Sequence, residues 1–366
     1  MKICHITTVH QRYDVRIFHK QCKSLAEKFS EVILIVADGL GDETIDGINI
    51  FDIGNKKKGR INRFTKTVNQ SIKKAISINA DIYHLHDPEL LRIAGKLKKN
   101  NAKVIFDSHE DLPRQIITKP YIPKIIRKPL AFFIEKYEHK KAKKLDGIIT
   151  ATPFIRDRFI KINKNCIDIN NYPLLSEIDL SNENHDKQYK VCYIGGITEI
   201  RGISELIKAL KYTEVKLDLA GEITPDYKKI IIKIEGWQNV NELGFINREK
   251  SWQIKKESIA GMVTFLPVPN HINSQPNKIF EYMASEIPVI GSNFPLWKEI
   301  IEDNNCGLCV NPLNSHEISK AINYLAKNPA EAKEMGKNGK KLVLEKYNWE
   351  IEEKKLLDFY KKILEQ

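Results

Sequence analysis

The stretch CYIGGITEIRG, Cys192–Gly202, sets the reading of the fold. A strand-forming run ends in Gly195-Gly196, a loop follows, and Arg201-Gly202 opens the next helix. Glycines let the backbone approach a ligand closely, and Arg201 can present a guanidinium fork to phosphate oxygens. Alone, a strand, a glycine pair and a helix recur in many α/β proteins. The surroundings repeat the unit. Strand candidates follow at Val215–Ala220, Asn241–Phe245, Gly261–Phe265, Pro288–Ile290 and Gly307–Val310, each leading into a helix. Ahead of it lie Lys2–Ile6, Val32–Ala37, Ile48–Ile53, Ile82–Leu85, Val104–Asp107, Ile148–Ala151 and Cys166–Ile169, with helical stretches Arg16–Lys28, Arg63–Ile78 and Pro88–Lys99 between them. This alternation predicts parallel sheets wound by βαβ units.

Between the two series runs a polar segment without period, Asn170–Lys190, which reads as a linker. The predicted organisation is an N-terminal Rossmann-like domain over 1–172, a linker over 173–189 and a C-terminal Rossmann-like domain over 190–346. A last helix over 347–366 then packs back on the first domain. In that helix Leu356, Phe359, Tyr360, Ile363 and Leu364 form one apolar stripe. Two such domains are expected to face a cleft.

Length and composition agree with this division. The 366 residues are 42% hydrophobic and 29% charged, as in a globular chain of two domains. No apolar run is long enough to span a bilayer, and the N-terminus turns polar too early for a secretory signal. Six irregularly spaced cysteines suggest no disulfide framework, so the cytoplasm is the expected compartment. The net charge of +12 is uneven: residues 1–180 hold 33 Lys and Arg against 21 Asp and Glu, and the remainder balance. That field attracts phosphate-bearing partners.

The second informative stretch is NSQPNKIFEYMASEIPVIGS, Asn273–Ser292. Pro276 suits a first helical position, placing Asn277 and Lys278 in the first turn. Unpaired N–H groups, the positive end of the helix dipole and a lysine together make a diphosphate site. Glu281, one turn deeper on the same face, can accept hydrogen bonds from a ribose diol.

These two segments together resemble the retaining nucleotide-sugar glycosyltransferases of family 4, which have the GT-B fold. Pro276–Ile290 followed by EIIEDNNCGLCVNP, Glu299–Pro312, is similar to the family's donor-binding signature, and IGGITEIRG stands in the place of its phosphate loop. DIYHLHDPELL (Asp81–Leu91) and VIFDSHEDLP (Val104–Pro113) resemble its acceptor-domain strands. YDVRIFHKQCKSLA (Tyr13–Ala26) is similar to a branch that makes bacterial surface polysaccharides. The chain departs from the pattern in places. Asn273 stands eight residues before Glu281 where the family usually has a glutamate. Gly196 and Arg201 occupy places where an arginine and a lysine are usual. Thr7, Thr8, His10, Asp14 and Arg16 replace a glycine-rich loop after the first strand.

The resemblance implies a retaining transferase that moves a sugar from a nucleoside diphosphate donor to a hydroxyl acceptor, a lipid-linked glycan in surface polysaccharide synthesis. It assigns catalysis to His109, Arg201 and Lys278, and donor binding to Gly195, Gly196, Asn273, Asn277 and Glu281. Glu110 and Asp111 would orient the acceptor. No Asp-x-Asp triplet occurs, so no metal or other cofactor is expected on the diphosphate. Rival readings are a nucleotide-sugar epimerase on the same fold and a non-catalytic partner subunit. Nucleic-acid binding is set aside, since no recognisable module is present.

Other features get structural readings. His84 and His86 alternate along a strand and are expected to face opposite sides, unable to chelate together. Cys306 and Cys309 read as small strand residues. Asp14 and Arg16 form a structural pair or touch the acceptor, two alternatives the residues leave open. The segment Lys119–Asp146 carries nine Lys and Arg against three acids. Its stripe of Ile126, Leu130, Phe133, Ile134 and Tyr137 is expected to pack on the sheet. Ile125 and Phe132 lie off that stripe among Arg127, Lys128 and Lys136, a pattern suited to an anionic membrane surface or to a solvated basic face. Lys56–Lys74, with eight basic residues and no acids, weighs toward the membrane and a peripheral location.

Overall fold

A computed structural model describes residues 1–55, 63–98, 101–119, 121–178 and 187–365. The chain divides into two units, Met1–Asn171 with Trp349–Gln366, and Tyr172–Asn348. The segment read as a linker over 173–189 thus counts with the second unit, and its residues 179–186 lie outside the described ones, as do 56–62 of the basic stretch Lys56–Lys74.

The first unit is built on an eight-stranded sheet, with strands β1 (Lys2–Ile6), β2 (Glu31–Val36), β3 (Glu43–Ile45), β4 (Ile48–Asp52), β5 (Ile82–Leu85), β6 (Lys103–Ser108), β7 (Gly147–Thr150) and β8 (Cys166–Asp168). Their order is β3-β4-β2-β1-β5-β6-β7-β8. Near-continuous apolar runs such as EVILIV make strands buried on both faces, as parallel sheets require. Among the described residues only β3 pairs antiparallel. It forms a hairpin with β4 through Asp46 and Gly47, both at positive φ, 53° and 74°. The sequence reading passed over this strand, although Asp-Gly is a strong hairpin signal.

The helical stretch read as Arg16–Lys28 winds as π-helical turns over Val15–Cys22, capped by Asp14, and then as an α-helix over Lys23–Ala26. The last helix, Trp349–Leu364, belongs to this unit. Its Trp349 indole donates to the Ser24 hydroxyl (3.0 Å), and its Glu352 carboxylate accepts from the Asn170 amide N–H (2.6 Å). Gly147 is the point of closest approach. A Cβ there would lie 2.8 Å from the Phe359 ring, so only glycine lets the helix sit this deep.

The second unit holds β9 (Lys190–Ile194), β10 (Lys216–Ala220), β11 (Val240–Gly244), β12 (Gly261–Val263), β13 (Val289–Ser292) and β14 (Gly307–Val310), all parallel, ordered β11-β10-β9-β12-β13-β14. Its core includes Tyr193, Phe280, Tyr282 and Trp297.

Both sheets reverse strand order once, between β1 and β5 and between β9 and β12. In open parallel sheets ligands collect beyond the carboxyl ends of the strands at such switch points. The chain leaves β9 directly into Gly195, and leaves β1 and β5 into Thr7 and His86.

Candidate active site

In the second unit β9 delivers Gly195 at φ 146°, a backbone shape that side-chain-bearing residues avoid. A Cβ on Gly195 would lie 2.2 Å from Nζ of Lys278 and 3.6 Å from a terminal nitrogen of Arg201. The glycine therefore makes room for two cations. The helix carrying Lys278 runs over Asn277–Ala284; Pro276 is its N-cap rather than its first residue, and no side chain caps it. Arg201 ends a 3₁₀ turn over Glu199–Arg201, Gly202 turns left-handed, and the next helix begins at Ile203.

The aromatic backing of the pair is fixed. Lys278 Nζ stands 5.8 Å from the Tyr193 ring centre, and the Arg201 guanidinium 5.3 Å from that of Phe265. The Tyr193 hydroxyl donates to the Gly196 carbonyl (2.9 Å), which holds the turn. Burial pushes the Lys278 amine down to about 8; Arg201 and Lys255 act in the same direction and Glu281 opposes them. Glu281 itself lies 3.9 Å from Lys255 Nζ. The structure thus brings Gly195, Arg201 and Lys278 together, with Glu281 beside them. Gly196 and Asn277 are exposed at the loop and at the helix start. Asn273 sits half-buried in the turn before Pro276.

In the first unit the ends of β1, β5 and β6 gather four imidazoles around one carboxylate. Asp107 is fully buried and accepts from Arg16 at both oxygens, 2.9 Å at Oδ2 and 2.8 Å at Oδ1; Gln21 also donates to Oδ2, at 2.8 Å. Burial disfavours its charge, and Arg16 and His109 more than offset that, holding the carboxyl well below its usual range. His109 Nε2 lies 3.3 Å from Oδ2 of Asp107 and 3.1 Å from Nδ1 of His86. His86 Nε2 meets Nδ1 of His5 at 2.9 Å, and Nδ1 of His84 meets the Tyr360 hydroxyl at 2.7 Å. Burial keeps His5, His84 and His86 neutral.

The expectation that His84 and His86 face opposite sides is overturned. Their rings stack with centres 4.4 Å apart. Residues two apart on a strand point to the same face, so the pleat itself brings His86 to the side of His84. Asp14 and Arg16 do not pair through their side chains. Asp14 caps the backbone N–H groups of Arg16 and Ile17 and meets His10 at 3.2 Å, while Arg16 serves Asp107. The packed stripe expected between Ile126 and Tyr137 is also corrected. In the helix Lys124–Ala142 the buried residues are Ala131, Glu138 and Ala142, and Ile126, Phe133 and Tyr137 are exposed with Ile125 and Phe132. Asp111 lies at the start of the helix Leu112–Thr118, near Arg114 (3.6 Å) and Arg158 (3.9 Å). Cys306 and Cys309 are free thiols, and burial pushes both up.

Sequence reasoning missed Asp107 and His5 as members of the first-unit cluster. Histidines at the ends of two strands that become neighbours were the available signal, but strand order is needed to use it.

Residues 176–342 match the family model of the glycosyl transferases group 1. Two uncharacterized glycosyltransferases of Methanocaldococcus jannaschii are similar: MJ1069, 22% identical over 58% of this chain and 54% of that protein, and MJ1178, 26% identical over 43% of this chain and 44% of that protein. The chain spans about half the length of these curated relatives. Among solved structures, sucrose-phosphate synthase from Thermosynechococcus elongatus superposes with a TM-score of 0.80 at 16% identity, covering 99% of both chains. Anabaena HepE in complex with UDP and glucose does so with a TM-score of 0.75 at 13% identity, over 99% of this chain and 100% of that one. These likenesses show the fold, two parallel-sheet α/β domains of the GT-B type.

Proposed function

We propose that this protein is a retaining glycosyltransferase in which the second unit holds a nucleoside diphosphate sugar. The observation that carries the reading is the cradle at the end of β9. Gly195 leaves space, and Arg201 and Lys278 fill it with positive charge at an uncapped helix start. The family match covers all three residues. HepE, of like fold, is described with UDP and with UDP-glucose, which supports a nucleotide-sugar as donor here.

Chemically, the cradle stabilises the negative charge that develops on the departing diphosphate. Arg201 supplies a fork of N–H donors, Lys278 a point charge, and the helix N–H groups the remaining bonds. Glu281 accepts from the ribose, and Asn273, Asn277 and Gly196 line the donor. The leaving diphosphate takes the proton of the incoming hydroxyl on the same face of an oxocarbenium-like sugar, so no protein base is required. Fixed cations do the work a divalent ion would do on the diphosphate. The family resemblance gives His109 a part in catalysis.

The acceptor reading is a lipid-linked glycan in surface polysaccharide synthesis, at the inner face of the cell membrane. It is supported by the exposed Ile125, Phe132 and Phe133 flanked by basic residues on the helix Lys124–Ala142.

The test is transfer of label from a panel of nucleotide-sugars to a lipid-linked acceptor, in wild type and in Lys278→Ala. Removing a donor aimed at transition-state charge costs about 10²–10³ in turnover. A loss of that size with unchanged melting, and a product that keeps the donor's anomeric configuration, is the expected result. Near-normal transfer by the variant overturns the assignment. Conversion of the donor without any acceptor identifies an epimerase instead.

A further inference from the structure

The cluster at the switch point of the first sheet has a geometry that its hydrogen bonds alone do not require. Nδ1 of His86, Nε2 of His109 and Oδ2 of Asp107 form a nearly equilateral triangle, with edges of 3.1, 3.3 and 3.6 Å. A tetrahedral zinc ion with ligands at about 2.0–2.1 Å sets its ligand atoms about 3.3–3.4 Å apart, whereas octahedral ligands at that distance stand about 3.0 Å apart. The observed edges centre on the tetrahedral value.

Three further observations point the same way. The fully buried Nε2 of His84 has no hydrogen-bond partner and faces the same Asp107 oxygen at 3.9 Å. Each prospective ligand but one is oriented from behind, as metal ligands generally are: His86 through its other nitrogen by His5 (2.9 Å), and Asp107 through its other oxygen by Arg16 (2.8 Å). His109 is the ligand open to solvent, with its side chain 14% exposed. The local charge also suits a cation. Asp14, Asp87, Glu89 and Asp107 lie around the rings against one guanidinium, that of Arg16: Asp14 and Asp87 meet His10, whose ring centre is 4.7 Å from that of His109, and Glu89 meets Thr8. Arg16 and Gln21 share Oδ2, which weakens a metal there relative to an unencumbered carboxylate.

We infer that His86, Asp107 and His109 form a site for a divalent transition cation of the zinc class, with a fourth position open toward His10. The site lies in the first unit and does not rest on the donor reading. It leaves Nδ1 of His109 available to a substrate and places a Lewis acid at the carboxyl ends of β5 and β6, where an acceptor hydroxyl or a sugar oxygen could reach it.

Cobalt(II) is the probe, because tetrahedral coordination by nitrogen and oxygen gives intense visible bands. Full-length protein stripped with a chelator and titrated with Co²⁺ should take up one equivalent, develop those bands, and lose them when Zn²⁺ is added. His109→Ala, at the open edge, should abolish the bands with little change in melting; His86→Gln serves as a second variant. His5→Gln, which removes only the hydrogen bond behind His86, should weaken Co²⁺ binding about 10–100-fold. His316→Ala, on an exposed helix, should bind as wild type. No saturable uptake, or bands that survive both ligand variants, overturns the inference. Bands lost in His5→Gln but kept in His109→Ala overturn it too, since the cation would then sit among His5, His84 and His86.

Discussion

At the scale of single residues, the donor reading turns on the charge of one amine. Lys278 is depressed to about 8 by burial, so in the free protein it loses its proton as pH rises through that value. The unfolded chain keeps that proton up to about 10.4. Between the two values the unfolded state binds more protons, and this group makes stability rise with pH. A bound diphosphate favours the charged form and reverses the shift. Binding of UDP near pH 8.5 should therefore take up a proton, seen as a dependence of calorimetric enthalpy on the buffer's ionisation heat. Lys278→Arg should remove that dependence; proton uptake unchanged in the variant would place its source elsewhere.

Gly195 gives a second test at this scale. In Gly195→Ala the methyl meets the lysine amine at 2.2 Å on a backbone with φ 146°. The expected cost is about 1–3 kcal/mol of stability, with UDP affinity falling further than melting implies. An alanine variant that binds UDP normally would argue against a diphosphate seated on that glycine.

At the scale of elements, most strands were legible because parallel strands buried on both faces write themselves as β-branched runs. Lys2–Ile6, Ile82–Leu85, Lys190–Ile194 and Gly307–Val310 fall where the sequence placed them. The edge strand Glu43–Ile45 was not legible in that way, because an edge needs no apolar run and carries two acids or polar groups in three residues. The helix Lys124–Ala142 misled for a related reason. Its apolar residues are spread around the axis, and its buried positions are small or charged: Ala131, Ala142 and Glu138, the last raised by burial to about 7 and paired with Arg158 at 3.0 Å. Period alone cannot tell which of two apolar stripes meets the sheet. The result is a helix with Ile125 86% and Phe133 67% exposed. If that face meets anionic lipid, wild type should sediment with phosphatidylglycerol vesicles at low salt, and Phe132→Ser with Phe133→Ser should not. Binding by the double variant equal to wild type would reduce the face to a solvated one.

At the scale of the whole chain, the C-terminal helix completes the unit in which the chain began. Trp349, Leu356, Tyr360 and Ile363 are all buried there. The apolar stripe made the need for docking legible, but its anchor points were not, since Ser24, Gly147 and Asn170 are unremarkable in sequence. Tyr360 joins that helix to the histidine cluster through His84. Tyr360→Phe should cost about 1–3 kcal/mol, because it leaves a buried imidazole nitrogen unpaired. Denaturant unfolding of the full chain reads this directly, and an unchanged midpoint would mean the nitrogen finds another partner.

The grouping of Gly195 with Arg201 and Lys278 was legible residue by residue because a glycine turn and a helix start are short local signals. The histidine cluster was not, because its members come from three strands whose adjacency is a property of sheet order.

The account's central claim is that Gly195, Arg201 and Lys278 grip a diphosphate. Isothermal titration of the full-length protein with UDP, GDP and ADP, repeated with Lys278→Ala, tests it most directly. The account predicts saturable binding of one of these nucleotides to the wild type and a large loss of affinity in the folded variant. Equal affinity in both proteins, or no binding of any of the three to either, would contradict it.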